Sequence, residues 1–189
     1  MRLFVALELP DGVRAALDRI QQGVPGARWI PPENMHLTLR FIGEVGGADF
    51  HDLMHALAEV VVPPFEIELA GVGHFETRKL PTVLWAGVKP SPPLKRLQAK
   101  IERAVQSCGL PPESRKFTPH VTLARLGDTE PLRVRNFLQR YSLFAPGRVP
   151  VEGFTLFSSH LGKGEPHYRV EVEYLFEAPL EDPSEVPPS

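Results

Sequence analysis

Cysteine is almost absent from this chain: Cys108 is the only one in 189 residues. A single thiol cannot close an intramolecular disulfide, and no cysteine cluster exists to hold zinc. Long apolar runs are missing too, and none approaches the roughly 20 residues that span a bilayer as a helix. The opening Met1-Arg2-Leu3-Phe4-Val5-Ala6-Leu7-Glu8 meets an acidic residue too early for a signal-peptide core. Neither sign of charge dominates, with 21 basic against 23 acidic residues and a formal net charge of −2. That balance excludes a broadly basic nucleic-acid coat, but leaves room for a nucleotide end in a local basic pocket. What is present is a globular composition, 42% hydrophobic and 23% charged. The length suits one ordinary domain or two small lobes. A cytoplasmic monomer without membrane contact is the expectation.

Two periods alternate along the body. Leu3 to Leu9 reads as a strand ending at Pro10, and Asp11 then caps a helix with the stripe Val13, Leu17, Ile20 and Val24. His36 to Ile42 is strand-like and stops at Gly43. Asp49 caps a helix with the stripe Phe50, Leu53, Met54 and Leu57, which Pro63-Pro64 terminates. Phe65 to Leu69 and Val83 to Val88 read as strands. Ser91-Pro92-Pro93 opens a helix whose stripe is Leu94, Leu97, Ile101, Val105 and Cys108, stopped by Gly109. Val121 to Leu126 is a strand, Pro131 to Tyr141 a helix, and Val149 to Phe157 and Tyr168 to Phe176 are strands. Residues 179–189 are acidic and proline-rich with little to bury, and are expected to form a disordered tail.

The order repeats. Strand, helix, His-containing strand, helix and strand occupy about residues 3–75 and return over about 83–176. Phe4-Val5-Ala6-Leu7 aligns with Leu84-Trp85-Ala86-Gly87. Such a repeat predicts one domain over residues 1–178, built from two units about a pseudo-two-fold axis with equivalent residues facing a cleft.

Within the repeat stand His36-Leu37-Thr38-Leu39 and His120-Val121-Thr122-Leu123. Side chains alternate along a strand, so each motif buries its aliphatic residues and offers an imidazole and a hydroxyl together on the other face. With seven His and seven Thr in the chain, chance supplies His-x-Thr roughly 0.3 times. Imidazole serves as general base or general acid near neutral pH, so two of them on opposite sides of a phosphorus can exchange protons with attacking and departing oxygens. The hydroxyls can donate to non-bridging phosphate oxygens. That chemistry needs no metal, cofactor or covalent intermediate.

On these residues the sequence resembles the 2H phosphoesterase superfamily, and within it the RNA 2′,3′-cyclic phosphodiesterases, also called 2′-5′ RNA ligase-like. The resemblance also rests on the opening Arg2-Leu3-Phe4-Val5-Ala6-Leu7, on Arg40-Phe41-Ile42-Gly43-Glu44 and on Ala124-Arg125, and covers the chain to about Pro179. It implies an α+β, bilobal fold with two antiparallel sheets about a central cleft and helices outside. It implies hydrolysis of a terminal 2′,3′-cyclic phosphate on RNA or a nucleotide to a 2′-phosphate. His36 would be the proton donor, His120 the proton acceptor, and Thr38 and Thr122 the phosphate-binding threonines. Phe41 and Arg125, five residues after each histidine, would stack a base and contact phosphate. A regular strand turns position five away from the histidine, so both reach the site only through a bulge or strand end. Arg40 shares parity with His36 and is a candidate for the cleft or for a solvated strand end. Ligation or cleavage of a 2′-5′ linkage at the same site, and an RNA-end binding module without turnover, are the alternatives.

Other features carry less. His51 and His55 have metal-ligand spacing, but Asp52 stands where a zinc-protease motif needs Glu, and both lie off the apolar stripe. Gly162-Lys163-Gly164 is too short for a nucleotide loop and is expected to be a hairpin turn. Arg115-Lys116 precedes the second motif and suits steering of RNA phosphates. Cys108 falls on an apolar stripe and is expected in the core.

Overall fold

The computed structural model describes residues 1–162 and 164–177. Residues 179–189 of the expected tail, and Lys163 of the expected turn, lie outside them. The first half runs β1 (Arg2–Glu8), α1 (Asp11–Arg19), β2 (Arg28–Trp29), a 3-10 turn (Pro32–Asn34), β3 (His36–Glu44), α2 (Gly47–Ala58) and β4 (Phe65–Thr77). The second runs β5 (Leu80–Val88), α3 (Pro92–Ser107), β6 (His120–Arg125), α4 (Pro131–Arg140), β7 (Gly147–Val151), β8 (Gly153–His160) and β9 (His167–Leu175). Among the described residues no helix is long and apolar enough to cross a membrane.

The helices form where the apolar stripes predict, and their ends are set by backbone rather than by the acidic residues. Pro10 and Gly46 occupy the N-cap positions of α1 and α2 with no side-chain cap bond, so Asp11 and Asp49 sit inside the first turn. There their carboxylates face the positive end of the helix dipole. Ser91 does cap α3, its hydroxyl accepting from the Leu94 N–H at 3.3 Å. Val13 and Leu17 of α1, Leu53 and Leu57 of α2, Leu94, Leu97, Ile101 and Val105 of α3, and Val134 and Phe137 of α4 all enter one core.

The strands pair antiparallel in a nine-stranded order β7-β4-β5-β6-β3-β1-β8-β9, with β2 beside β6. The two sheets expected from the sequence are therefore two four-strand blocks of one order, joined where Leu37 of β3 pairs with Val121 of β6. The blocks also exchange strands. β4 pairs with β5 and β7, whereas β8 pairs with β1 and β9. Each block thus draws strands from both halves of the sequence. Two segments cross over to achieve this. β4 continues past Leu69 through a bulge at Gly71 (φ +69°) as far as Thr77, eight residues beyond the expected end. The strand read as Val149–Phe157 breaks at Glu152 into β7 and β8, and at Gly153 any Cβ would lie 2.3 Å from the Tyr174 carbonyl oxygen.

β1 alternates cleanly. Leu3, Val5 and Leu7 join the main core, while Phe4 and Ala6 pack with Phe157 and Tyr168 in a second, smaller cluster. That second cluster is the bed beneath one of the motif histidines.

Candidate active site

The Leu37–Val121 pair fixes the site. Both side chains are fully buried, so the neighbouring His and Thr residues must face the other way. Antiparallel register continued one residue each way sets His36 opposite Thr122 and Thr38 opposite His120. The histidines are diagonal neighbours at the junction of the two blocks. A cavity of about 90 Å³ lies over this square, lined by His36, Thr38, His120, Thr122, Arg125, Tyr168, Asn34 and Ile30.

Both motif strands carry a one-residue bulge after the threonine. In β3, Ala6 pairs with Thr38 and Val5 with Arg40, leaving Leu39 over. In β6, Trp85 pairs with Thr122 and Leu84 with Ala124, leaving Leu123 over. The bulge inverts parity beyond it. Position five after each histidine thereby returns to the site face, and position four goes to the core. Arg125 lines the small cavity. Phe41 stands outside it, on the rim between two larger clefts, and is 38% exposed. Arg40 is buried and stands outside the small cavity, lining instead the larger cleft near His120, where its guanidinium pairs with Glu102 of α3 and donates to the carbonyls of Phe41 and Pro111. It is a buried, paired cation at the edge of a cleft, not a solvated one.

The two histidines are held alike. His120 Nδ1 lies 2.6 Å from the carbonyl oxygen of Thr118, two residues back. A carbonyl only accepts, so Nδ1 carries the hydrogen and the lone pair of the neutral ring resides on Nε2. His36 has a backbone hydrogen bond to Asn34, also two residues back. Aromatic rings surround each. Phe4 lies 4.9 Å from the His36 ring and Tyr168 meets it edge-on at 5.2 Å; Phe75 meets His120 edge-on at 4.9 Å. Burial pushes both imidazoles below their ordinary pKa, His36 to about 4. For His36 the Asn34 bond opposes the shift, while the charges of Arg14 and His120 add to it. Burial also raises the Tyr168 hydroxyl, which stays a neutral donor.

A larger cleft opens on each side. Near His120, about 520 Å³ is lined by Phe41, Phe75, Phe117, Arg115, Lys116 and Gln98, among others. Beside His36, about 420 Å³ is lined by Arg2, Arg28, Arg125, Phe41, Tyr168 and Glu165, among others. Tyr168, Asn34 and Arg28 were not foreseen. Asn34 carries the one signal that was available, standing two residues before His36 after Pro31-Pro32; its amide donates to the Pro166 carbonyl at 3.2 Å. His51 and His55 are exposed on α2, ring against ring at 4.5 Å, and neither lines the cavity.

The 2′-5′ RNA ligase superfamily model matches residues 9–163. The RNA 2′,3′-cyclic phosphodiesterase of Archaeoglobus fulgidus is 34% identical over 89% of this chain and 97% of that relative. A crystal structure of a Thermus thermophilus protein superposes with a TM-score of 0.80 at 31% identity, covering 94% of this chain and 99% of that one. E. coli LigT in complex with 3′-AMP superposes with a TM-score of 0.76 at 25% identity, covering 93% and 97%. With the family match spanning most of its length, the chain belongs to the 2′-5′ RNA ligase superfamily.

Proposed function

We propose that the protein is a metal-independent phosphodiesterase that opens a terminal 2′,3′-cyclic phosphate on RNA or a nucleotide to leave a 2′-phosphate. One observation carries this: two histidines, two threonines and an arginine line a single small cavity between aromatic walls. His120, its Nδ1–H held by Thr118, presents a basic Nε2 and takes a proton from water. The water oxygen bonds to phosphorus as the bond to O3′ breaks, and His36 gives O3′ its proton. Thr38 and Thr122 donate to the non-bridging oxygens, and Arg125 offsets the charge that builds on them. Phe41 supplies a stacking face for the terminal base. The protein acts in this scheme as a cytoplasmic monomer without cofactor.

The test is hydrolysis of a short oligonucleotide ending in a 2′,3′-cyclic phosphate, with EDTA present and the product followed by phosphorus NMR. The expected product is the 2′-phosphate alone, with His36→Ala and His120→Ala each slower by about 10²-fold or more. Loss of turnover in EDTA would overturn metal independence. Tight binding without turnover would make the protein an RNA-end binding module. The cleft of about 520 Å³ beside His120 favours a second reaction at the same centre. It is far larger than one water needs, so a nucleoside hydroxyl could replace water and give a 2′-5′ linkage. A 5′-hydroxyl oligonucleotide supplied in excess, with no joined product, would dismiss it.

A further inference from the structure

Arg28 of β2 and Arg125 of β6 are direct cross-strand partners. Like charges set opposite each other destabilise a sheet unless something neutral or negative lies between or beside them. Arg2 lines the same cleft, its guanidinium 5.1 Å from the centre of the Phe41 ring. Among the described residues none of these three guanidiniums forms an ion pair with a carboxylate. One carboxylate, Glu165, lines the cleft against the three. The cleft shares Ile30, His36, Thr38, Arg125 and Tyr168 with the catalytic cavity, so the two volumes meet. On the other side of the centre the contrast is plain. Arg115 is held there by Glu113 through two hydrogen bonds and Arg40 by Glu102, so that among the described residues only Lys116 of that cleft's cations has no carboxylate partner.

We propose that the cleft of Arg2, Arg28 and Arg125 is a subsite for the phosphodiester one ribose upstream of the reacting phosphate. Arg125 faces both volumes and contacts the reacting group. Arg28 and Arg2 face only the larger one, where they meet the next phosphate of the chain and hold the terminal base against Phe41. Guanidinium is suited to this because its planar fork matches two phosphate oxygens at once. An internucleotide phosphate on Arg28 also relieves the repulsion between Arg28 and Arg125. The substrate is therefore an RNA 3′ end carrying at least one internal phosphodiester, in preference to a free cyclic mononucleotide. This rests on the hydrolytic reading above.

The experiment compares a dinucleotide ending in a 2′,3′-cyclic phosphate with adenosine 2′,3′-cyclic monophosphate, in the wild type, Arg28→Gln and Arg28→Lys. The wild type is expected to favour the dinucleotide in kcat/KM by about tenfold or more, one charge-assisted contact's worth. Arg28→Gln brings that ratio close to one, whatever it does to either rate, and Arg28→Lys restores part of it. The log–log salt slopes for the two substrates differ by about 0.7 in the wild type and coincide in Arg28→Gln. Equal kcat/KM for both substrates in the wild type, or an undiminished ratio in Arg28→Gln, overturns the subsite. If the wild type turns over neither substrate, hydrolysis itself is refuted, and binding decides the subsite separately. In that case the 2′-phosphorylated dinucleotide must bind more tightly than adenosine 2′-phosphate, with the advantage lost in Arg28→Gln. Equal affinities refute the subsite.

Discussion

The strands bearing His36 and His120 share a backbone and differ in what the backbone displays. Each has a histidine tied to a residue two back, a threonine beside it and a bulge just after. At position four the bulge buries Arg40 in one strand and Ala124 in the other; at position five it exposes Phe41 in one and Arg125 in the other. One device thus exposes an aromatic ring on one side and a guanidinium on the other. The clefts beyond diverge likewise, one rich in arginine without an ion pair among the described residues, the other aromatic with its arginines already tied to Glu102 and Glu113. The lesson is that symmetry here covers the backbone and the His-x-Thr pair and ends at the bulge. In the proposed reaction, the polarity along a substrate that a cyclic end requires comes from the side chains the bulges turn outward.

If that contrast is correct, exchanging position-five functions should have unequal effects. Arg125→Ala is expected to lower kcat/KM by about 10²-fold, mainly in kcat, since the cation acts where charge develops. Phe41→Ala should cost about tenfold, carried by KM, the scale of one lost base–aromatic stack. Steady-state kinetics on one oligonucleotide decides it, and equal losses in kcat for both variants would erase the distinction between the two strands. Position four is tested on stability. Arg40→Met leaves Glu102 half-buried without its cation and should cost about 3 kcal/mol, read by denaturant titration. Adding Glu102→Gln to it should recover much of the loss. A double variant as weak as the sum of the two singles would mean that the ion pair is not the reason Arg40 is buried.

How much of this was open to sequence reasoning follows from which forces are local. The faces of β3 and β6 and the stripes of the first three helices were legible, because burial imposes a period on the residues themselves. The bulges were not, since Leu39 and Leu123 are unremarkable leucines and the extra residue exists only relative to β1 and β5. For the same reason the alignment of the two halves slipped. Pairing to the motif threonines matches Ala6 with Trp85, one residue away from the match of Ala6 with Ala86 that short-string similarity suggests. The hairpin joining β4 to β5 turns on Arg78 and Lys79, with φ of 51° and 66°. Neither is the glycine or asparagine that marks such turns. Tyr168 was read only as a strand start, because it reaches His36 through the pairing of β9 with β8 and of β8 with β1. Phe41 and Arg125 were correctly tied to the need for a bulge, although its location was not visible.

The histidines themselves offer a smaller and sharper test. In the free protein burial keeps both imidazoles neutral near pH 7, with His36 protonated only near pH 4. The proposed reaction needs His36 charged and His120 neutral. The profile of kcat/KM, which reports the free enzyme, should therefore be a bell lying on the acid side of the ordinary imidazole pKa. It falls as pH rises above the His120 pKa, where continued loss of the His36 proton is no longer offset by His120 becoming neutral. A bound phosphate anion between the two imidazoles favours both cations and raises both pKa values, so the alkaline limb of kcat should lie about one pH unit or more above that of kcat/KM. A kcat/KM profile flat from roughly pH 5 to 9 would remove paired imidazole catalysis from consideration.

The smallest expected effect lies in the cleft beside His120. Hydrogen bonds from Arg115 hold the Glu113 carboxyl at about 2, far below its ordinary value, so the pair is charged at any working pH. Arg115 is also well exposed and its charge is matched within its own loop. Arg115→Ala should therefore change kcat/KM for an oligonucleotide by less than about threefold, the scale of an exposed ion pair. Its salt slope should stay that of the wild type, in contrast to Arg28→Gln. A loss above tenfold with a shallower slope would show that RNA draws Arg115 away from Glu113. Both clefts would then hold nucleic acid, and the asymmetry would be one of readiness, with one set of cations free beforehand and the other released on binding.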